Sequence, residues 1–342
     1  MTDDIRIVDV VLHYVGNTTA GEGITLSNES LKLSEDVIPY LKYYFLSAFK
    51  LEALCNFYHE ASLSRNPMFT FAEEIFEKKR SFCEVSSDIA RHLYEHSDHP
   101  KIKGGDLFVV LFENVEVDHQ FVDALGLFKI ENTENYIRVS REGCKVSVET
   151  ENGVSIKKMD KGCLIFNIEK EHGFVVAVVD KTSRGAEAKY WIDDFLHVVP
   201  RNDGYNMTKK IVGMCKDYVK TLDSSVDKSQ KAMMLNRFAE MMKDGLFDME
   251  QVSKAIFNDG KMAEDFVKFK EQFNADGDGI GIGESVVIDP NALKHLSFGN
   301  LTNIRLDNNF GISIRGGENL LEKGYDEEKG MKYYKLYYRE ER

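Results

Sequence analysis

No apolar run in the 342-residue chain approaches the roughly 18 residues a membrane span needs, which excludes a bilayer-crossing helix. The opening M-T-D-D-I-R-I-V lacks a basic region followed by an apolar block, so no export signal is expected. Cysteine is scarce and odd in number. Cys55, Cys83, Cys144, Cys163 and Cys215 are widely spaced and form no C-x-x-C, a pattern that fits free thiols in a reducing compartment and neither a disulfide framework nor a zinc knuckle. There is no G-x-S-x-G elbow, no G-K-[ST] phosphate loop and no G-x-G-x-x-G after a strand, so the commonest nucleophile and nucleotide signatures are missing. Excess positive charge is missing too. The net charge of −13 argues against a protein that coats nucleic acid by bulk attraction.

The acidity is unevenly spread. Residues 1–200 carry 22 Lys+Arg against 33 Asp+Glu, a balance of −11, whereas 201–275 carry 13 against 12 and 276–342 carry 9 against 12. A polyanion would therefore meet the C-terminal half. With 43% hydrophobic residues the chain has apolar mass for more than one core, and its length suits about two domains of ~150 residues.

Residues 5–15 (I-R-I-V-D-V-V-L-H-Y-V) are β-branched and apolar, an opening strand. Ser34 or Asp36 is read as the cap of a helix reaching about Ser62, and Thr70 with Glu73 as a capping box that starts a second helix running to about His96. After Gly104-Gly105 come strand-like runs at 106–115, 121–130, 136–140, 145–149, 163–169 and 174–179, joined by E-N-G and E-H-G turns as an antiparallel meander. A short helix over 189–199 carries the single tryptophan, Trp191. Pro200 to Gly204 reads as a linker, followed by four helical patterns to about Phe273, a glycine-rich run, a short strand and helix, a hairpin around Asp307-Asn308-Asn309, and a tyrosine-rich end. The expected class is α+β: N-terminal helices with a mainly antiparallel sheet (1–199), a helical middle segment (200–275) and a small C-terminal α+β region packed with it (276–342).

Two stretches imitate metal sites. Asn274 to Ser285 (N-A-D-G-D-G-I-G-I-G-E-S) sets Asp276, Asp278 and Gly279 as a calcium loop would, but Glu284 arrives one residue early and Ser285 takes the bidentate position. It reads as a connector. His92-Leu93-Tyr94-Glu95-His96 is H-x-x-E-H, the signature of inverted zinc peptidases, with both histidines on one helical face and Glu169 or Glu171 downstream as a third ligand. Against a metal, the motif ends its helix near Pro100, where histidines are favoured by the helix dipole. Asp193 and Asp194 are adjacent, and adjacent helical residues point apart, so they make poor paired acids.

Two stretches suit DNA. Lys209, Lys216 and Lys220 fall on one line of a helix whose opposite stripe is Ile211, Cys215, Tyr218 and Leu222. In K-Y-Y-K-L-Y-Y-R, the cations Lys332, Lys335 and Arg339 interleave with tyrosines, as a stacking and phosphate-neutralising surface would require, although flanking acids offset them.

The succession G-G-D-L-F-V-V-L-F (Gly104–Phe112), Y-W-I-D-D-F-L (Tyr190–Leu196), Q-V-S-K-A-I-F (Gln251–Phe257), I-D-P-N-A-L-K-H-L (Ile288–Leu296) and N-I-R-L-D-N-N-F-G-I-S-I-R-G (Asn303–Gly316) resembles the bacterial nucleoid-associated family typified by NdpA, also called YejK. The resemblance runs from the first strand to about Leu320. It implies a cytoplasmic, nucleoid-located protein without cofactor or catalytic residues, which meets DNA directly or through a nucleoid protein partner. It also implies that His92 and His96 are incidental and that the run before Ile288 is a variable connector. Arg315 falls where the family hairpin tends to carry a basic residue. A zinc hydrolase centred on His92, Glu95 and His96, and an adaptor in a mobile-element or defence locus, are the alternatives. No membrane partner is expected, and homo-oligomerisation is left open.

Overall fold

The computed structural model describes residues 4–143, 145–181, 190–223, 226–257, 260–275, 281–295, 303–307, 309–314 and 320–340. The chain divides into two compact units, Met1–Arg201 and Asn202–Arg342.

The first unit is built on an eight-stranded sheet. Its strands are β1 (Arg6–Val15), β2 (Ile24–Thr25), β3 (Leu54–Phe57), β4 (Gly105–Val117), β5 (Gln120–Ile130), β8 (Lys161–Phe166), β9 (Val175–Asp180) and β10 (Val198–Pro200), in the order β10-β3-β9-β8-β5-β4-β1-β2. Every pairing in it is antiparallel. Alternation along the strands feeds two cores. Leu107, Val109, Leu125, Leu127, Cys163 and Ile165 face one, which α2 (Pro67–Phe76), α3 (Phe82–Glu95) and Trp191 complete. Val110, Phe112, Ala124, Phe128, Leu164 and Phe166 face the other, closed by Tyr44 and Phe45 of α1 (Ile38–Leu46). Phe45 stacks on Phe128 at 4.3 Å, and a Cβ at Gly126 would lie 2.6 Å from the Phe128 ring, so only glycine fits under that aromatic layer. The hairpin of β6 (Glu134–Glu142) and β7 (Lys145–Gly153) pairs outside this sheet, with Ile137, Val139, Val146 and Val148 exposed along one of its faces.

Two sequence expectations fail here for local reasons. The helix expected to reach about Ser62 stops at Leu46, and β3 takes up residues 54–57. On a helix Leu54 and Phe57 would share a face; on a strand they point apart, which lets Phe57 enter one core and Leu54 the other. The long helix to His96 is really two. Lys78 ends the first in a left-handed conformation (φ 54°), and Ser81 with Glu84 forms the capping box that starts the second. The true cap of α2 is Asn66, whose side chain accepts from Phe69 N–H at 3.0 Å with Pro67 in the first turn, so Thr70 and Glu73 lie inside the helix.

The second unit packs α4 (Gly204–Thr221), α5 (Lys228–Met242), α6 (Met249–Ile256) and α7 (Gly260–Ala275) around Tyr218, Phe238, Phe257 and Phe266. Asp203, Asp227 and Asp248 cap the first three of these helices, each accepting backbone N–H groups of the first turn. The strands β11 (Leu246–Asp248) and β12 (Ser285–Val287) pair beside them, and α8 (Pro290–His295) follows. Asp276 to Ile280 of the calcium-like stretch lie outside the described residues. The described end of that stretch is packed: Ile282 is buried, Asn274 accepts its N–H at 2.8 Å, and Glu284 pairs with the buried Lys270 at 2.5 Å.

Two hairpins close the unit, β13 (Asn303–Leu306) with β14 (Phe310–Ser313) and β15 (Leu321–Asp326) with β16 (Met331–Leu336). Ile304 and Ile314 bury against Ala232 of α5, joined by Leu321 and Tyr334, and Asn236 donates to the Ile314 carbonyl at 2.9 Å.

Candidate nucleic-acid interface

The two hairpins and the first turn of α5 border an open cleft of about 970 Å³ in the second unit. Among the described residues five cations line it: Lys228 and Lys231 from α5, Arg305 from β13, Lys323 from β15 and Lys332 from β16. Asp223, Asp227 and Asp307 are the described lining acids, so among these residues positive charge leads by two. Two of the cations are engaged. Lys231 donates to the Leu222 carbonyl at the end of α4, and Lys323 pairs with Asp227 at 2.9 Å. Burial pushes the Asp227 carboxyl up, but hydrogen bonds from Ser229 and Gln230, with Lys323, outweigh it and hold the group at about 2. Lys228, Arg305 and Lys332 have no ion-pair partner among the described residues.

Register decides which side chains face this cleft. In the last hairpin Lys323 stands opposite Tyr334, and Tyr325 opposite Lys332. Directly opposed residues share a face, so cation and aromatic alternate across the two strands on one side. Tyr325 is 60% exposed. On the other side Tyr333 lies over Gly324, where a Cβ would collide with the ring, and Lys335 opposes Glu322. In the neighbouring hairpin the apolar face runs from Ile304 and Ile312 in the core to Leu306 and Phe310 at its end, and Phe310 emerges at the cleft 71% exposed.

The interleaved K-Y-Y-K stretch is thus divided by strand alternation. Lys332 faces the cleft, whereas Lys335 sits 3.7 Å from Glu322 with its ammonium 4.9 Å from the Tyr337 ring. Arg339 is exposed beyond the strand, and Arg315 lies outside the described residues. On α4, Lys209 is exposed with its ammonium 5.8 Å from the Tyr205 ring, and Lys220 pairs with Asp217 at 2.7 Å. Lys216 is half-buried, and burial followed by the nearby Lys220 lowers its pKa. The apolar stripe of Ile211, Cys215 and Tyr218 is buried, as its spacing implies. Among the described residues, Lys332 is the one sequence-nominated cation that lines the cleft; Arg305, Lys323, Phe310 and the α5 lysines, which also line it, carried no sequence expectation. The alternating K-G-Y of β15 was a signal for Lys323; the convergence of segments nearly a hundred residues apart left none.

His92 and His96 meet edge to face, ring centroids 4.5 Å apart, but each ring engages a backbone carbonyl. The His92 Nε2 lies 3.1 Å from the Phe195 carbonyl, and the His96 Nδ1 lies 2.8 Å from the His92 carbonyl. Glu169 pairs with Arg201, which also holds Asp118 at 2.7 Å. Among the described residues no three His, Cys, Asp or Glu side chains form a group that could hold a metal. Asp193 and Asp194 are both exposed on the wide helical turn Tyr190–Leu196.

A buried charge network in the first unit escaped the sequence reading. Lys129 and Lys161 are directly opposed on β5 and β8, an arrangement that repels unless compensated. Glu131 lies 3.2 Å from Lys129, and Asp180 lies 3.0 Å from Lys161. Tyr190 donates to Glu131 at 2.9 Å and accepts from Lys129 at 3.3 Å. Burial lowers the Lys129 pKa while Glu131 opposes the shift; burial, followed by Glu131, raises that of Tyr190.

Together, fold and cleft define an α+β protein with a cation-lined, aromatic-edged groove and, among the described residues, no helix long and apolar enough to cross a membrane. The family model of the nucleoid-associated protein YejK matches residues 11–329, nearly the whole chain, and the protein belongs to that family. No curated protein matches the chain.

Proposed function

We propose that the protein is a non-enzymatic component of the nucleoid that binds DNA weakly through its second unit. The observation that carries this reading is the cleft, where Lys228, Arg305 and Lys332 stand beside the exposed ring of Phe310. Few phosphates can be neutralised by so few cations, so binding is weak and its salt slope shallow. The −11 balance of residues 1–200 favours the same unit, because an acidic surface is repelled by phosphate. That acidity also supports a second reading, in which the first unit engages a basic, DNA-bound protein partner.

Chemical crosslinking of the full chain to DNA, with the attached peptides mapped, separates the two. Crosslinks concentrated in 303–336 and around Lys228 are expected. Crosslinks confined to residues 1–201, or crosslinking only when a nucleoid protein is added, would overturn direct contact through the second unit.

A further inference from the structure

We propose that the cleft of the second unit takes unpaired DNA bases, stacked on Phe310 and on the exposed Tyr325 of the adjoining hairpin face, in preference to duplex. The inference rests on the reading that this unit contacts DNA. It begins with Phe310. A hairpin that buries Ile304 against α5 has no packing reason to end its apolar face in a large aromatic that is 71% exposed. A nucleobase offers the flat apolar partner such a ring lacks, and stacking on aromatics tolerates any base.

The second observation is the arrangement around that ring. Lys323 and Lys332 alternate with Tyr334 and Tyr325 on one face of the last hairpin, so each aromatic has a cation directly across the strand. Arg305 extends from the other hairpin, with a guanidinium able to grip phosphate through two parallel hydrogen bonds. Bases on rings and phosphates on flanking cations are what a single strand requires.

Shape argues against duplex. At about 970 Å³ the cleft has the size of a small-ligand pocket, room for a few bases and not for a double helix. A duplex lying across it would keep its base faces stacked internally, leave Phe310 without a partner, and bring its dense phosphates to Asp223 and Asp307 at the cleft.

The test is fluorescence anisotropy on the full chain with three probes at one low salt concentration: a short mixed-sequence single strand, the same strand with central bases replaced by abasic sites, and the corresponding duplex. The intact strand should bind tightest, with the abasic strand at least about fivefold weaker, the low end of one stacked base. Phe310→Ala should weaken the intact strand by a similar factor and leave the abasic strand unchanged, while Phe310→Trp retains binding. Equal affinity for intact and abasic strands would overturn stacking and leave DNA contact standing. A base-dependent affinity indifferent to both Phe310→Ala and Tyr325→Ala would remove the bases from this cleft. Tighter binding of the duplex would also overturn the proposal. Absence of binding to all three probes would remove the DNA reading itself.

Discussion

Lys323 stands directly across the last hairpin from Tyr334, its ammonium 6.0 Å from the ring centroid, and it reaches from there to Asp227. One lysine thus belongs both to the aromatic face and to the cap of α5, so the helix start and the hairpin position each other.

Changes at Asp227 should separate those two roles. Asp227→Ala loses the cap, worth about 1 kcal/mol, and frees Lys323, whereas Asp227→Asn keeps the cap and loses only the charge pair. Amide exchange across 321–336 should quicken in both variants, and only the alanine variant should also quicken the first turn of α5. Because the folded pKa of Asp227 is depressed to about 2, its contribution is present above the ordinary value of 3.8 and is lost as pH falls towards 2.

Lys332 and Lys335, three residues apart, should behave differently. Lys332→Ala should weaken DNA binding and lower the salt slope by the share of about one phosphate. Lys335→Ala should do neither, because Lys335 lies on the opposite face beside Glu322 and Tyr337. Equal losses would show that the hairpin does not present the alternation its register describes.

His13 gives the first unit a pH dependence. It is buried, its Nδ1 accepts the Ser27 N–H at 3.1 Å, and its Nε2 therefore carries the proton 3.1 Å from Ser86 Oγ. A second proton would have to enter against the Ser27 N–H. Burial, followed by Arg91, lowers the pKa from 6.5 to about 4. Between those values the unfolded chain binds more protons, so stability is full above about 6.5 and declines as pH falls towards 4, by at most about 3 kcal/mol. Urea unfolding followed by the fluorescence of Trp191 should show this decline, and His13→Gln should flatten it.

Breaking the buried charge network should be costly in a way that neutralising it is not. Glu131→Gln leaves Lys129 charged and poorly compensated, a change on the order of 3–5 kcal/mol. Adding Lys129→Met to Glu131→Gln should recover part of that loss. Chemical denaturation of the single and double variants measures the coupling, and simple additivity would contradict a network.

The strands of the meander, the four helices after Gly204 and the Asp307 hairpin were legible because each is set by periodicity or turn chemistry within a few residues. What was not legible depended on partners far along the chain. Leu54 to Phe57 has no local reason to leave a helix; it becomes a strand because β9 and β10 offer open edges and two cores await its alternate side chains. F-K-I-E reads as an ordinary amphipathic strand end until β8 places Lys161 opposite Lys129. In the tail, the tyrosine and lysine pattern was visible, but its division into a cleft face and an outer face required the strand register. The lysine row of α4 was correctly placed on the polar side of its helix, yet sequence alone did not reveal that Lys220 is paired and Lys216 half-buried.

The most direct measurement is the salt dependence of DNA binding by the full chain, compared between a cleft variant (Arg305→Ala with Lys332→Ala) and a helix variant (Lys209→Ala, Lys216→Ala and Lys220→Ala). Each phosphate that the protein neutralises adds about 0.7 to the slope on a single strand and about 0.9 on duplex. The account predicts weaker binding by the cleft variant, with a slope flattened by the share of about two phosphates, and a helix variant close to the parent protein. The reverse result, a slope lowered by the helix substitutions and untouched by those in the cleft, would contradict it.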